Sequence, residues 1–180
     1  MELVDSVCLG LLGGLTGFAL AARRMTASSP LAGVALVSWQ RFVGLMAVAP
    51  KNAVSPRGRL GTFQMDARRL KDVGLMESAK KTGSAGEWVG QWKGGLTREQ
   101  FLGSMPLQYA AFCRSMRTMA PKVSGLVGQV VDGKTCSLSG LLGVGHMAGE
   151  VGLLGWLADA DARKRFGATT AVFDNANQIF

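Results

Sequence analysis

The chain has 180 residues and a mass of 18.9 kDa, which suits one domain that buries roughly two-thirds of its unfolded surface. Its hydrophobic share of 48%, charged share of 18% and mean hydropathy of +0.21 lie at the apolar end for a soluble protein, so more than an ordinary core has to be covered. The formal net charge of +8 and pI near 9.9 favour anionic partners such as nucleic acid, acidic cell-wall polymers or anionic lipid, and say nothing about fold. Cys8, Cys113 and Cys136 are odd in number, far apart and without C-x-x-C spacing, which argues against a disulfide framework or a zinc site. The single histidine, His146, excludes a multi-histidine metal centre, and neither metal nor cofactor is expected.

Residues 1–27 read as an apolar N-terminal helix for anchoring or assembly contact, followed by a helical domain over residues 28–180. Ser6 to Ala22 is uncharged and carries Gly10, Gly13, Gly14 and Gly17, a spacing that lets helix backbones approach closely. The stretch is only just long enough to span a bilayer. Glu2 and Asp5 precede it in place of lysine or arginine, and no A-x-A site precedes Arg23, so a signal peptide is a poor reading. Packing in an assembly is the first reading, and membrane insertion through residues 6–22 the second.

Ser28-Ser29-Pro30 offers a cap and a first-turn proline for a helix over Leu31 to Val48, whose only charge is Arg41. Apolar nearly all round, it is expected to run through the centre of the domain. Pro50, Pro56 and Gly58 then break the helix, and Arg57 and Arg59 mark exposure, so Ala49 to Leu60 is a loop or small irregular sheet. Phe63 to Leu75 returns to helical period. From Met76 to Gly95, Trp88 and Trp92 would share a face if that segment were a helical turn.

Thr97 and Gln100 have capping-box spacing. Met105, Tyr109, Phe112, Met116 and Met119 follow as an amphipathic stripe, with Arg114 and Arg117 outside it. Such a methionine-rich stripe reads as core. Pro121 is expected to end that helix, and Val123 to Cys136 to be a connector with an Asp132-Gly133 turn. Ser137 or Ser139 caps a last helix through Leu141, Leu142, His146, Leu153 and Trp156. Its many glycines (Gly140, Gly143, Gly145, Gly149, Gly152, Gly155) suggest close helix contact or approach of a polysaccharide. No stretch shows the sustained alternation of a strand. The fold class is therefore mainly α, a helical bundle with a small irregular lobe.

Serine-hydrolase chemistry through His146 finds no G-x-S-x-G elbow, and the histidine reads as structural. Phosphate-cradling loops are absent as well: Gly10-Leu11-Leu12-Gly13 follows no strand, and Gly94-Gly95 lacks a following lysine-serine or lysine-threonine pair.

The order of three segments is more specific. Gly58-Arg59-Leu60-Gly61-Thr62-Phe63-Gln64-Met65 comes first, Phe101-Leu102-Gly103-Ser104-Met105-Pro106-Leu107-Gln108 second, and Gly128 to Gly149, with Ser139-Gly140-Leu141-Leu142 and His146, third. Over roughly Val37 to Phe180 this order resembles the lysozyme-superfamily, lytic-transglycosylase-like domains of phage tail and other muralytic proteins. The resemblance implies a lysozyme-like helical domain, peptidoglycan and other virion proteins as partners, and a virion location in the tail or baseplate. It puts Gln64, Phe63, Arg59 and His146 near the glycan.

In that family the general acid is a glutamate between the apolar helix and the glycine loop. Here that window, Met46 to Asn52, holds no carboxylate, and Ala49 or Pro50 stands in the acid's place. The resemblance thus implies a virion component that contacts peptidoglycan or scaffolds its neighbours without the usual catalytic glutamate. One alternative is an active muramidase or lytic transglycosylase with a relocated acid, Glu77 or Glu150, or one supplied by another chain. A further alternative is a DNA- or membrane-contacting ejection protein, suggested by Arg57, Arg59, Arg68, Arg69, Lys71, Lys80, Lys81, Arg163, Lys164 and Arg165, although no nucleic-acid-reading element is recognisable in the sequence.

Overall fold

A computed structural model describes residues 28–82 and 87–180. The apolar segment 1–27, with its expected helix over residues 6–22, lies outside the described residues. The described chain is mainly helical, with seven α-helices and two two-stranded antiparallel sheets. It falls into two compact units, one of Ala47–Ser115 and one of Leu31–Met46 with Met116–Phe180.

The first unit opens with an irregular loop over residues 47–66, tied by the isolated bridges Val54 to Leu60 and Leu60 to Met65. Helix α1 (Ala67–Asp72) follows. It is shorter than the helix expected over Phe63 to Leu75, because the Asp66 carboxylate accepts the Arg69 N–H at 2.8 Å and starts the helix there. The segment from Met76, in which no strand was expected, is a hairpin of β1 (Met76–Thr82) and β2 (Glu87–Trp92). Its alternation is concealed by a bulge between Met76 and Ser78 and by lysines on both faces of β1.

Gly90 explains how the hairpin packs. A Cβ there would overlap the Ser78 carbonyl oxygen and the Met76 sulfur of the paired strand, so the bare backbone permits the close approach of β1, with Ala67 of α1 in ordinary contact beyond. Helix α2 (Arg98–Gly103) begins with the capping box of Thr97 and Gln100 that the sequence indicates. Phe63 stacks on Phe112 with ring centroids 4.3 Å apart, and Leu60, Met65, Leu70 and Phe101 are buried in the same unit.

Helix α3 (Met105–Val123) continues from the first unit into the second. Phe112, Met116 and Met119 of its stripe are buried, as a core reading requires, whereas Met105 at its start is exposed. Pro121 does not end it. A proline near a helix C-terminus removes one hydrogen bond only, and the chain tightens into a 3₁₀ turn (Ser124–Leu126) in which Ser124 Oγ donates to the Pro121 carbonyl.

In the second unit, helix α4 (Leu36–Met46) begins later than Leu31, because Gly33 turns the chain at φ +76°. Nor is it buried all round: Trp39, Phe42 and Met46 face inward, while Val37, Gln40 and Arg41 are exposed. The short hairpin β3 (Val130–Val131) and β4 (Lys134–Thr135) turns at Asp132-Gly133, both with positive φ.

Ser137 caps α5 (Leu138–Ala158). Its buried Gly140, Gly143 and Gly145 receive Phe173, Val172 and Met119 in turn. Gly149, at φ 76° and ψ 172°, kinks the helix. By length and composition α5 could cross a membrane, yet Ser139 to Gly145 is packed inside the protein's own core. Helices α6 (Ala160–Arg165) and α7 (Gly167–Ala176) complete the unit, with Trp156 of α5 and Phe173 of α7 in ring contact at 4.7 Å.

Arg163 ties α6 to the β3–β4 hairpin. Its Nε and Nη2 donate to both Asp132 carboxylate oxygens at 2.8 and 2.9 Å, and Nη1 donates to the Trp156 and Leu157 carbonyls.

Two measurements check this packing. Gly140→Ala puts a methyl group against Asn177 and 2.9 Å from the Phe173 ring and is expected to lower unfolding free energy by about 1–3 kcal/mol. Gly155→Ala meets open space and is expected to raise it by about 0.5–1 kcal/mol, both read from urea melts. The second concerns acid. The hydrogen bonds from Arg163 hold the Asp132 carboxyl below its ordinary range, so the stability it contributes is present above the ordinary aspartate value and lost as pH falls through the lowered one. Asp132→Asn is expected to flatten that part of the acid limb of a stability–pH profile.

Candidate functional site

Each buried polar group in the irregular loop of the first unit needs a partner within the protein, because no helix or extended sheet ladder supplies one. Gln108 supplies several. It lies in the first turn of α3, where side chains lean toward the helix N-terminus, and this carries its carboxamide back over the end of α2. The side chain is 1% exposed. Its Oε1 accepts the Thr62 N–H at 2.8 Å, and its Nε2 donates to the carbonyls of Lys51 at 2.9 Å, Phe101 at 3.0 Å and Leu102 at 3.2 Å. Both ends of one amide are therefore used, and the loop, α2 and α3 are joined through it.

Gly61 has to be glycine on two counts. Its φ is +71°, and a Cβ would overlap the Gln108 carboxamide. The turn Gly61–Gln64 is closed by reciprocal hydrogen bonds between Leu60 and Met65 at 2.9 and 3.0 Å. Gln64 adopts φ 49°, and its Nε2 donates to the Gly61 carbonyl at 2.8 Å. The window expected to hold the acid lies alongside: the Val48 N–H donates to the Thr62 carbonyl at 3.1 Å, and the Gly61 N–H to the Ala53 carbonyl at 2.8 Å. Ala49 there is half-buried and Pro50 exposed.

Of the residues expected at the glycan, Gln64 and Arg59 are half-buried in this loop, the latter with its backbone held by a turn on Ser55. Phe63 is a correction. At 2% exposure and stacked on Phe112, its ring belongs to the core and has no face to offer a sugar. His146 is half-buried on α5 in the second unit.

Neither candidate acid lies in a buried, apolar cleft. Glu77 is exposed at the bulge of β1. Glu150 is exposed beyond the α5 kink and accepts a 2.7 Å ion pair from Lys122.

Gln108 closes the second of the three segments in the sequence but is not among the residues expected at the glycan. A signal was available. Gln108 is three residues after Met105 and four before Phe112, so it falls on the apolar stripe, and an amide on a buried helix face has to find partners inside.

Removing those partners has a predictable cost. Gln108→Ala leaves the Thr62 N–H and up to three carbonyls unpaired around a void, and is expected to lower unfolding free energy by about 2–4 kcal/mol. Limited proteolysis is expected to cut first within residues 47–65. An unchanged urea midpoint and digestion pattern would show that the loop does not depend on this amide.

No protein-family model, curated protein or solved structure matches the chain significantly.

Proposed function

We propose that this protein is a lysozyme-like, peptidoglycan-contacting component of a phage particle, placed at the tail, baseplate or ejection machinery beside other virion proteins, and that it does not cleave glycan. One observation carries the reading. Two of the three segments on which the resemblance rests, Gly58 to Met65 and Phe101 to Gln108, are bonded to each other through the Gln108 carboxamide, and the same amide holds the Lys51 carbonyl of the adjoining window. Segments of a shared ancestral site are expected to stay coupled in this way even after the site loses its chemistry.

Cleavage of a glycosidic bond needs a proton for the leaving oxygen. Between Ala47 and Asn52 the chain offers backbone groups and the side chains of Lys51 and Asn52, none of which is a carboxylic acid. What remains is hydrogen bonding. Asn52 is exposed and Gln64 and Arg59 partly so, a set that suits sugar hydroxyls and the carboxylates of the peptide stems.

Co-sedimentation with purified sacculi, run beside a turbidity assay, tests the proposal. The wild-type protein is expected to sediment with sacculi without clearing them, and Arg59→Ala with Gln64→Ala to weaken sedimentation by about 3- to 10-fold. Rapid clearing that Glu77→Gln or Glu150→Gln abolishes would overturn the non-catalytic reading. No sedimentation at any concentration would overturn peptidoglycan contact altogether.

A further inference from the structure

The two-stranded sheet of the first unit ends on both sides without a further strand among the described residues. In such a ribbon alternate residues of each strand turn their N–H and C=O groups away from the neighbouring strand, and those groups form an open edge. On β1 that edge is accessible. Glu77, Ser78, Lys80 and Lys81 are exposed, and no backbone hydrogen bond among the described residues reaches residues 76–81 from outside the hairpin.

Lysine on an edge strand ordinarily guards it, because it sets positive charge against an approaching strand. β1 carries Lys80 and Lys81 toward its end but Glu77 near its beginning, so the strand is negative first and positive last. Two copies of β1 laid parallel would set Glu77 against Glu77 and each lysine against itself, which is unfavourable. Two antiparallel copies, related by a two-fold axis through Ala79, set Ser78 of one against Lys80 of the other and bring each Glu77 beside the other copy's Lys80 and Lys81. The bulge at Glu77 shifts that side chain by about one position, and both facing lysines stay within its reach. Every charge on the strand is then matched. β2 offers no such match with a second β2, since Glu87 is its only charged residue.

We propose that β1 pairs with β1 of a second copy of this chain, antiparallel about Ala79, to give a dimer with a four-stranded sheet in the order β2-β1-β1-β2. The contact is self-complementary: the same strand serves both copies, and pairing uses up the open edge of each, so the assembly closes at two. Charge selects the register, because the parallel arrangement brings like charges together. A seven-residue strand buries less than the roughly 800 Å² a side of a standard stable complex, so the dimer is weak and depends on concentration. This pairing does not depend on contact with peptidoglycan.

Sedimentation equilibrium of the full chain between about 5 and about 200 µM tests the proposal. Wild type is expected to pass from monomer toward dimer across that range and to form nothing larger. Glu77→Lys alone, and Lys80→Glu with Lys81→Glu alone, set like charges opposite one another and are each expected to weaken dimerisation about tenfold. An equimolar mixture of the two variants is expected to restore it as a heterodimer. If either variant fails to fold by circular dichroism, cross-linking decides. Under mild oxidation Ala79→Cys, which meets its own copy at the axis, is expected to form a disulfide dimer beyond the wild-type background. Lys81→Cys, whose symmetry mate lies about 14 Å away at about 3.4 Å per residue, is not. Val151→Lys with Leu154→Lys, on the exposed apolar stripe of α5, controls for the rival surface and is expected to leave the dimer unchanged. A chain that stays monomeric throughout, no recovery in the mixture, no Ala79→Cys cross-link, or loss of the dimer in the α5 variant would each overturn the proposal.

Discussion

The organisation of the first unit depends on one buried carboxamide. A loop without regular secondary structure can be held in place only if its backbone groups are satisfied, and Gln108 satisfies the Thr62 N–H and the Lys51 carbonyl from a rigid helix. That arrangement explains neighbouring choices. Gly61 has no room for a side chain, Thr62 is buried with its N–H turned toward Oε1, and Phe63 points inward onto Phe112. The next residue, Gln64, turns through positive φ and closes on the Gly61 carbonyl. A single polar group thus fixes which loop residues are core and which remain open to solvent.

The second unit solves a different problem. Its glycine-rich helix offers little side-chain volume, so neighbouring side chains pack directly on its backbone at Gly140, Gly143 and Gly145. Polar contacts tie its elements together, among them the buried Ser139 hydroxyl, which meets the Ala176 and Phe180 carbonyls. Asn177 accepts the Ser137 N–H and donates to the Thr135 carbonyl, which joins the end of α7 to the start of α5, and the two-pronged grip of Arg163 on Asp132 anchors the hairpin. Arg163 is also 5.9 Å from the centre of the Trp156 ring. Lys122, Lys134, Arg163, Lys164 and Arg165 of this unit each pair with a carboxylate.

The proposed contact with a cell wall would draw on hydrogen bonding by the loop around Gln64 and Arg59, which are partly exposed. Such contact requires no carboxylic acid, so the absence of one between Met46 and Asn52 is compatible with it.

Local chemistry made part of this readable from the sequence alone. The capping box of Thr97 and Gln100, the Asp132-Gly133 turn, the cap at Ser137 and the buried stripe through Phe112, Met116 and Met119 depend on neighbours within one or two turns of chain. The absence of a carboxylate between Met46 and Asn52 is likewise a fact of sequence. Other features depended on contacts between distant residues. The hairpin at Met76 to Trp92 has a bulge and lysines that hide its alternation, and Gly90 leaves room for the Ser78 carbonyl and the Met76 side chain of the paired strand. Pro121 sits in the last turn of α3, where it removes one backbone hydrogen bond of a helix packed on its other residues. Phe63 is core because Phe112, 49 positions later in the numbering, meets its ring. Gln108 could be recognised as an amide on an apolar face, but its partners at Lys51 and Thr62 lie more than forty residues away, and only the tertiary structure brings them within hydrogen-bonding distance.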